Sequence, residues 1–98
     1  MASLRAALAG DEPVLCLALT HARTPDFPLI AAAAGYDAVY VDLEHTSTSW
    51  DTAAMLCVAA AAADIAALIR VPSREADVIA RALDVGAHGA FDWQPLRR

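Results

Sequence analysis

The chain has 98 residues, which bounds it to one small domain at most. Its apolar fraction of 58% exceeds the roughly 45–50% of ordinary soluble domains, and alanine supplies much of the excess, a balance that suits part of a larger, well-buried body. Seven scattered basic residues against twelve acidic ones, for a net charge of -5, argue against a nucleic-acid backbone as partner.

The opening "MASLRAALAG" lacks the apolar core of a signal peptide, so a cytoplasmic protein is expected. "PVLCLAL", residues 13–19, is a short continuous apolar run and reads as a buried strand. In "TPDFPLIAAAAG", Thr24 is a plausible N-cap, Pro25 suits the first helical position, Pro28 falls in the first turn, and Gly35 stops the helix. "YDAVYVDL" reads as a second strand. A second helix is expected over residues 50–63, with Thr48 and Asp51 able to cap it. The apolar stretch 55–69 is divided by Asp64 and is too short to cross a bilayer, so no membrane partner is expected.

"IAALIRV", residues 65–71, is a third strand ended by Pro72. Ser73 then caps a helix in "READVIARALDVG", whose first turn carries Glu75 and Asp77, as the helix dipole favours, and Gly86 ends it. Cys16 and Cys57 sit inside apolar runs without CxxC or nearby His spacing. Both are read as reduced, buried core thiols.

Alternation of apolar strands with helices over short connections indicates an α/β fold, a parallel sheet covered by helices. The candidates are a (β/α)8 barrel or a doubly wound sheet. No GxGxxG or GxxxxGK[ST] follows the first strand, so a nucleotide-binding domain loses support. About three N-terminal βα units are present, and a closed barrel takes eight units and about 250 residues. A partial (β/α)8 barrel, a single domain over 1–98, is therefore expected. After "VGAHGA" a fourth strand is due, yet "FDWQPLRR" has no β-branched run. Residues 90–98 are read as departing from the pattern, through truncation or a changed reading frame.

In parallel α/β folds, functional residues gather at the C-terminal ends of the strands. That rule selects Asp42, Glu44 and His45 after the second strand and Arg70 at the end of the third. Adjacent strands lie about 4.8 Å apart, so an imidazole, two carboxylates and a guanidinium can converge there, as a general base beside an anion clamp. The plainer alternatives are a loop histidine, capping or solvated carboxylates and a surface ion pair. His21 is read as a polar loop residue. His88 is placed at the opposite end of the sheet, and Trp50 and Trp93 are read as packing residues. Asp84, near the end of the third helix, opposes the helix dipole.

Taken in order, "AAAAGYDAVYVDLEHT" and "IRVPSREADVIARALDVGAHG" resemble the HpcH/HpaI aldolase/citrate lyase family, over about residues 4–89. The resemblance implies a (β/α)8 barrel in a homo-oligomer (a hexamer). It also implies reversible cleavage of a 4-hydroxy-2-oxo acid, the small-molecule substrate, to pyruvate and an aldehyde with a divalent metal such as Mg, Mn or Co. Residue by residue, it implies that His45 accepts the proton. Arg70 would bind the substrate's carboxylate and oxo region, and Asp84 would raise the basicity of the histidine. Asp42 and Glu44 would stand behind the metal's own ligands, which the family carries on later strands. Two alternatives remain: a non-catalytic remnant or assembly module, and an acyl-CoA lyase of the same barrel superfamily.

Overall fold

A computed structural model describes residues 4–92. A short helix α1 (Leu4–Leu8) precedes β1 (Cys16–Leu19), α2 (Asp26–Ala33), β2 (Ala38–Asp42) and α3 (Trp50–Ala62). β3 (Ala66–Arg70), α4 (Ala76–Asp84) and β4 (Gly89–Phe91) follow. The four strands are parallel and lie in chain order, β1-β2-β3-β4. The α/β architecture and the three βα units therefore stand as expected. A short fourth strand forms where none was expected: Gly89, Ala90 and Phe91 pair with Leu68, Ile69 and Arg70. The edge of β3 recruits them although they carry no β-branched residue, because parallel pairing needs backbone groups more than side chains.

One face of the sheet meets the helices. Val39 and Val41 of β2 and Ala67 and Ile69 of β3 pack there with Ala53, Leu56, Cys57 and Ala60 of α3. Strand side chains alternate between faces, so Tyr40, Asp42, Leu68, Arg70 and Phe91 occupy the opposite face. In a closed barrel that face would line the interior.

Helices α2, α3 and α4 end by the same device. Gly35, Asp64 and Gly86 adopt left-handed backbone angles, φ 94, 61 and 112°. The following amides of Tyr36, Ile65 and Ala87 return to the carbonyls of Ala31, Ala60 and Ala82 at 3.0, 3.1 and 3.3 Å. These are Schellman closures, and they aim the chain straight into the next strand.

The helix caps differ from expectation. Pro25, not Thr24, is the N-cap position of α2, and Thr24 Oγ1 is hydrogen-bonded to Asp26. Ser49 caps α3, its Oγ accepting from the amide of Thr52 at 3.1 Å, and it has the extended backbone a cap needs. Glu75 is the N-cap position of α4, while Ser73 Oγ accepts the amide of Glu75 one turn earlier. Cys57 is buried as expected. Cys16 is exposed, because β1 is an edge strand and Cys16 points away from the helices. Trp93 lies outside the described residues.

Candidate active site

The sheet register fixes the centre of the site. Asp42 and Arg70 are the last residues of β2 and β3 and are direct neighbours, with Phe91 next to Arg70 on β4. The three side chains form one row across the C-terminal strand ends.

Asp42 is 3% exposed, and both its carboxylate oxygens are engaged. Oδ2 accepts from Nη1 of Arg70 at 3.3 Å. Oδ1 accepts the backbone amides of Glu44 and His45 at 2.9 and 3.0 Å, a turn that folds the loop back over the strand end. The hydroxyl of Thr46 donates to the carbonyl of Asp42 and is also hydrogen-bonded to Thr48 Oγ1 at 2.8 Å. The hydroxyl-rich stretch after His45 thus closes the loop from the strand to α3.

Arg70 is held on three sides. Beyond Asp42, its guanidinium lies 5.6 Å from the ring centre of Tyr40 and 5.8 Å from that of Phe91, and the two rings meet edge to face at 5.3 Å. Such cation–π contacts favour a fixed guanidinium plane. Its Nε is buried and has no hydrogen-bond partner among the described residues. A planar donor fork with one donor still unused suits a carboxylate.

Glu44 and His45 follow at the rim. Nε2 of His45 lies 2.6 Å from Oε1 of Glu44, with the histidine side chain 66% exposed and the glutamate 19%. The expected convergence thus takes a different form. Asp42, not His45, faces Arg70 across the strand ends, and His45 pairs with its own neighbour.

Asp84 is the last residue of α4, which runs back from the end of β3 to the start of β4. It is exposed at the opposite end of the sheet and is not brought to His45 within the chain. His88 lies at that far end as expected, where its Nδ1 accepts the amide of Ala67 at 3.1 Å and pins β4 to β3. His21 is exposed in the loop after β1. Trp50 packs on the core, with Arg81 stacked 4.7 Å above its ring.

Sequence reading passed over Tyr40, Phe91 and Asp92. Tyr40 could have been found by alternation, two residues before Asp42 on the same face. Phe91 and Asp92 could not, since no fourth strand was expected. Asp92 follows β4 and accepts from Nε of Arg74 at 3.1 Å, joining the next strand end to the same rim. A cleft lined by Leu4, Tyr36, Asp37 and Ile65 lies under α1, at the strand beginnings. Residues there serve stability in this architecture rather than chemistry.

Solved structures share the fold. Over 90% of its length the chain matches an HpcH/HpaI aldolase from Desulfitobacterium hafniense DCB-2, with 31% identity and a TM-score of 0.83. The chain is related to the HpcH/HpaI aldolase/citrate lyase family. It also matches the citrate synthase SbnG, at 34% identity and TM-score 0.80 over 90% of its length. An HpcH/HpaI aldolase/citrate lyase family protein from Burkholderia cenocepacia J2315 matches 84% of the chain at 36% identity and TM-score 0.72. The chain spans about a third of these proteins: 34%, 36% and 32% of their lengths. No family model and no curated protein matches it.

The divalent metal that the family implies finds no donor set here. Among the described residues no group of three or more His, Cys, Asp or Glu side chains could hold a metal ion. Asp42 has both oxygens committed, and Glu44 is turned to His45. The residues present do not fit as the metal's own ligands. Among the described residues no helix is long and apolar enough to cross a membrane.

Proposed function

We propose that this strand-end site belongs to a carbon–carbon lyase of the aldolase kind, which cleaves a 4-hydroxy-2-oxo acid to pyruvate and an aldehyde. Arg70 carries the reading. It is a guanidinium clamped between two aromatic rings and a buried carboxylate, with an unused buried donor at the mouth of a parallel sheet. A substrate carboxylate and 2-oxo group accept hydrogen bonds from that fork. The same positive charge stabilises the enolate left as the C3–C4 bond breaks. His45, at the rim, takes the proton from the 4-hydroxyl. The similarity to a citrate synthase supports carbon–carbon bond chemistry.

The reading assigns no step to a metal held by the described residues. Asp84 as helper of His45 would have to come from another subunit, because its own chain carries it to the far end of the sheet. A homo-oligomer fits the apolar side chains of Leu29, Ile30, Val58 and Leu83, which stand exposed on the helices.

Titration with pyruvate or oxalate, followed by NMR at the backbone amides of β2, β3 and β4, tests the reading. Saturable shifts centred on Asp42, Arg70 and Phe91 are expected, with affinity falling about tenfold or more in Arg70→Lys, which loses the planar fork. Shifts scattered elsewhere, or unchanged affinity in Arg70→Lys, would sink it. The 98-residue chain by itself is expected to release no appreciable pyruvate in a coupled lactate dehydrogenase assay.

A further inference from the structure

We infer that Tyr40 and Phe91 are positioning residues for Arg70: their rings form a corner that orients the guanidinium, and β4 thereby becomes part of the anion site. Hydrogen bonding does not orient Arg70. Its one hydrogen-bond partner among the described residues is Asp42, met through Nη1 alone at 3.3 Å. That is longer than the roughly 2.7–2.9 Å of a strong charge-assisted bond, and it lacks the second bond of a bidentate fork. Nε is buried and bonds to nothing among the described residues. A single long contact leaves the guanidinium free to swing about the carboxylate.

The rings supply the missing constraint. Tyr40 stands two residues before Asp42 on β2, and Phe91 is the register partner of Arg70 on β4, so all three side chains share one face of the sheet. Cζ of Arg70 lies 5.6 Å from the Tyr40 ring centre and 5.8 Å from that of Phe91, close enough for both to attract the charge. The two ring planes are 82° apart, with centroids separated by 5.3 Å. One flat ring would let a cation slide and turn across its face. A second ring almost at right angles blocks the motion that the first allows. Ordering the guanidinium before an anion arrives lowers the cost of binding, so the rings raise affinity without touching the ligand. This deepens the proposed site and rests on the reading of Arg70 as its anion-binding group.

The test makes two measurements on the full chain: water exchange of the Arg70 Nε–H by NMR at mildly acidic pH, and oxalate affinity. Arg5, exposed on α1, serves as the reference guanidinium in the same sample. Arg70 is expected to exchange severalfold more slowly than Arg5. In Tyr40→Leu, which keeps an apolar side chain without a π face, that protection falls severalfold and oxalate affinity drops about fivefold. Phe91→Leu is expected to act in the same direction, and Tyr40→Phe to retain native behaviour in both measurements. The amides of α3, on the opposite face, report that each variant stays folded. Unchanged exchange in both leucine variants overturns the inference, as does a Tyr40→Phe loss equal to that of Tyr40→Leu. Faster exchange with unchanged oxalate affinity overturns it too, because the rings would then cover Arg70 without orienting it for an anion. If exchange responds as expected while the native chain fails to bind oxalate, the lyase reading fails and the positioning of Arg70 stands.

Discussion

Asp42 is the residue on which the site turns. One oxygen holds Arg70 and the other holds the backbone of Glu44 and His45, so a single carboxylate couples the guanidinium at the end of β3 to the loop after β2. Its burial makes the coupling consequential, because removing one partner of a buried pair strands the other without compensation. Asp42→Ala is expected to lower stability by about 3 kcal/mol, read from urea unfolding, and to broaden the amide signals of residues 43–46. A loss below about 1 kcal/mol with those signals intact would show that the loop is held by other means. "DLEH" was legible as the segment at a strand end from its position after an apolar strand. Its internal division of labour was not. Pairing Asp42 with Arg70 requires the register between two strands 28 residues apart, and no local pattern encodes that register.

At the scale of elements, the helix stops were legible and the caps were displaced by one or two residues. Gly35 and Gly86 announced their roles because a left-handed residue after a helix favours glycine. Asp64 performs the same role at φ 61° and was read only as a charge interrupting an apolar run. Caps are harder to assign because Thr, Ser and Asp at neighbouring positions are chemically equivalent, and the backbone angle selects among them. Gly86 offers a direct check. Its φ of 112° and a Cβ position 3.4 Å from Cβ of Cys57 leave a side chain both strained and crowded. Gly86→Ala is expected to destabilise the fold by about 1–2 kcal/mol in chemical denaturation, and a neutral result would mean the α4–β4 turn can relax.

At the scale of the whole molecule, one face of the sheet is sealed by helices and the other carries the site. Cys57 reports on the sealed face. Burial pushes its thiol up to about 11 from an ordinary 9.0. The folded state thus keeps a proton that the unfolded chain releases first, so the thiol's contribution is fully present below about pH 9. It falls away as pH rises toward about 11. Unfolding free energy is expected to decline over that window in the native chain and to decline less in Cys57→Ala. Equal slopes would remove Cys57 as the cause. In the same molecule the exposed Cys16 should react with iodoacetamide at native conditions while Cys57 stays protected.

The sequence alone determined the α/β class, the order of its elements and the strand ends where chemistry gathers. Each of these follows from local physics: apolar runs of strand length, left-handed stops and the polarity of parallel strands. Tertiary structure decided what local patterns do not carry. It recruited β4 onto an open edge, exposed Cys16, seated Arg70 between Tyr40 and Phe91, and set it beside Asp42 rather than His45. Those outcomes depend on register and on which groups of distant segments are left to satisfy, and both are settled only when the strands come together.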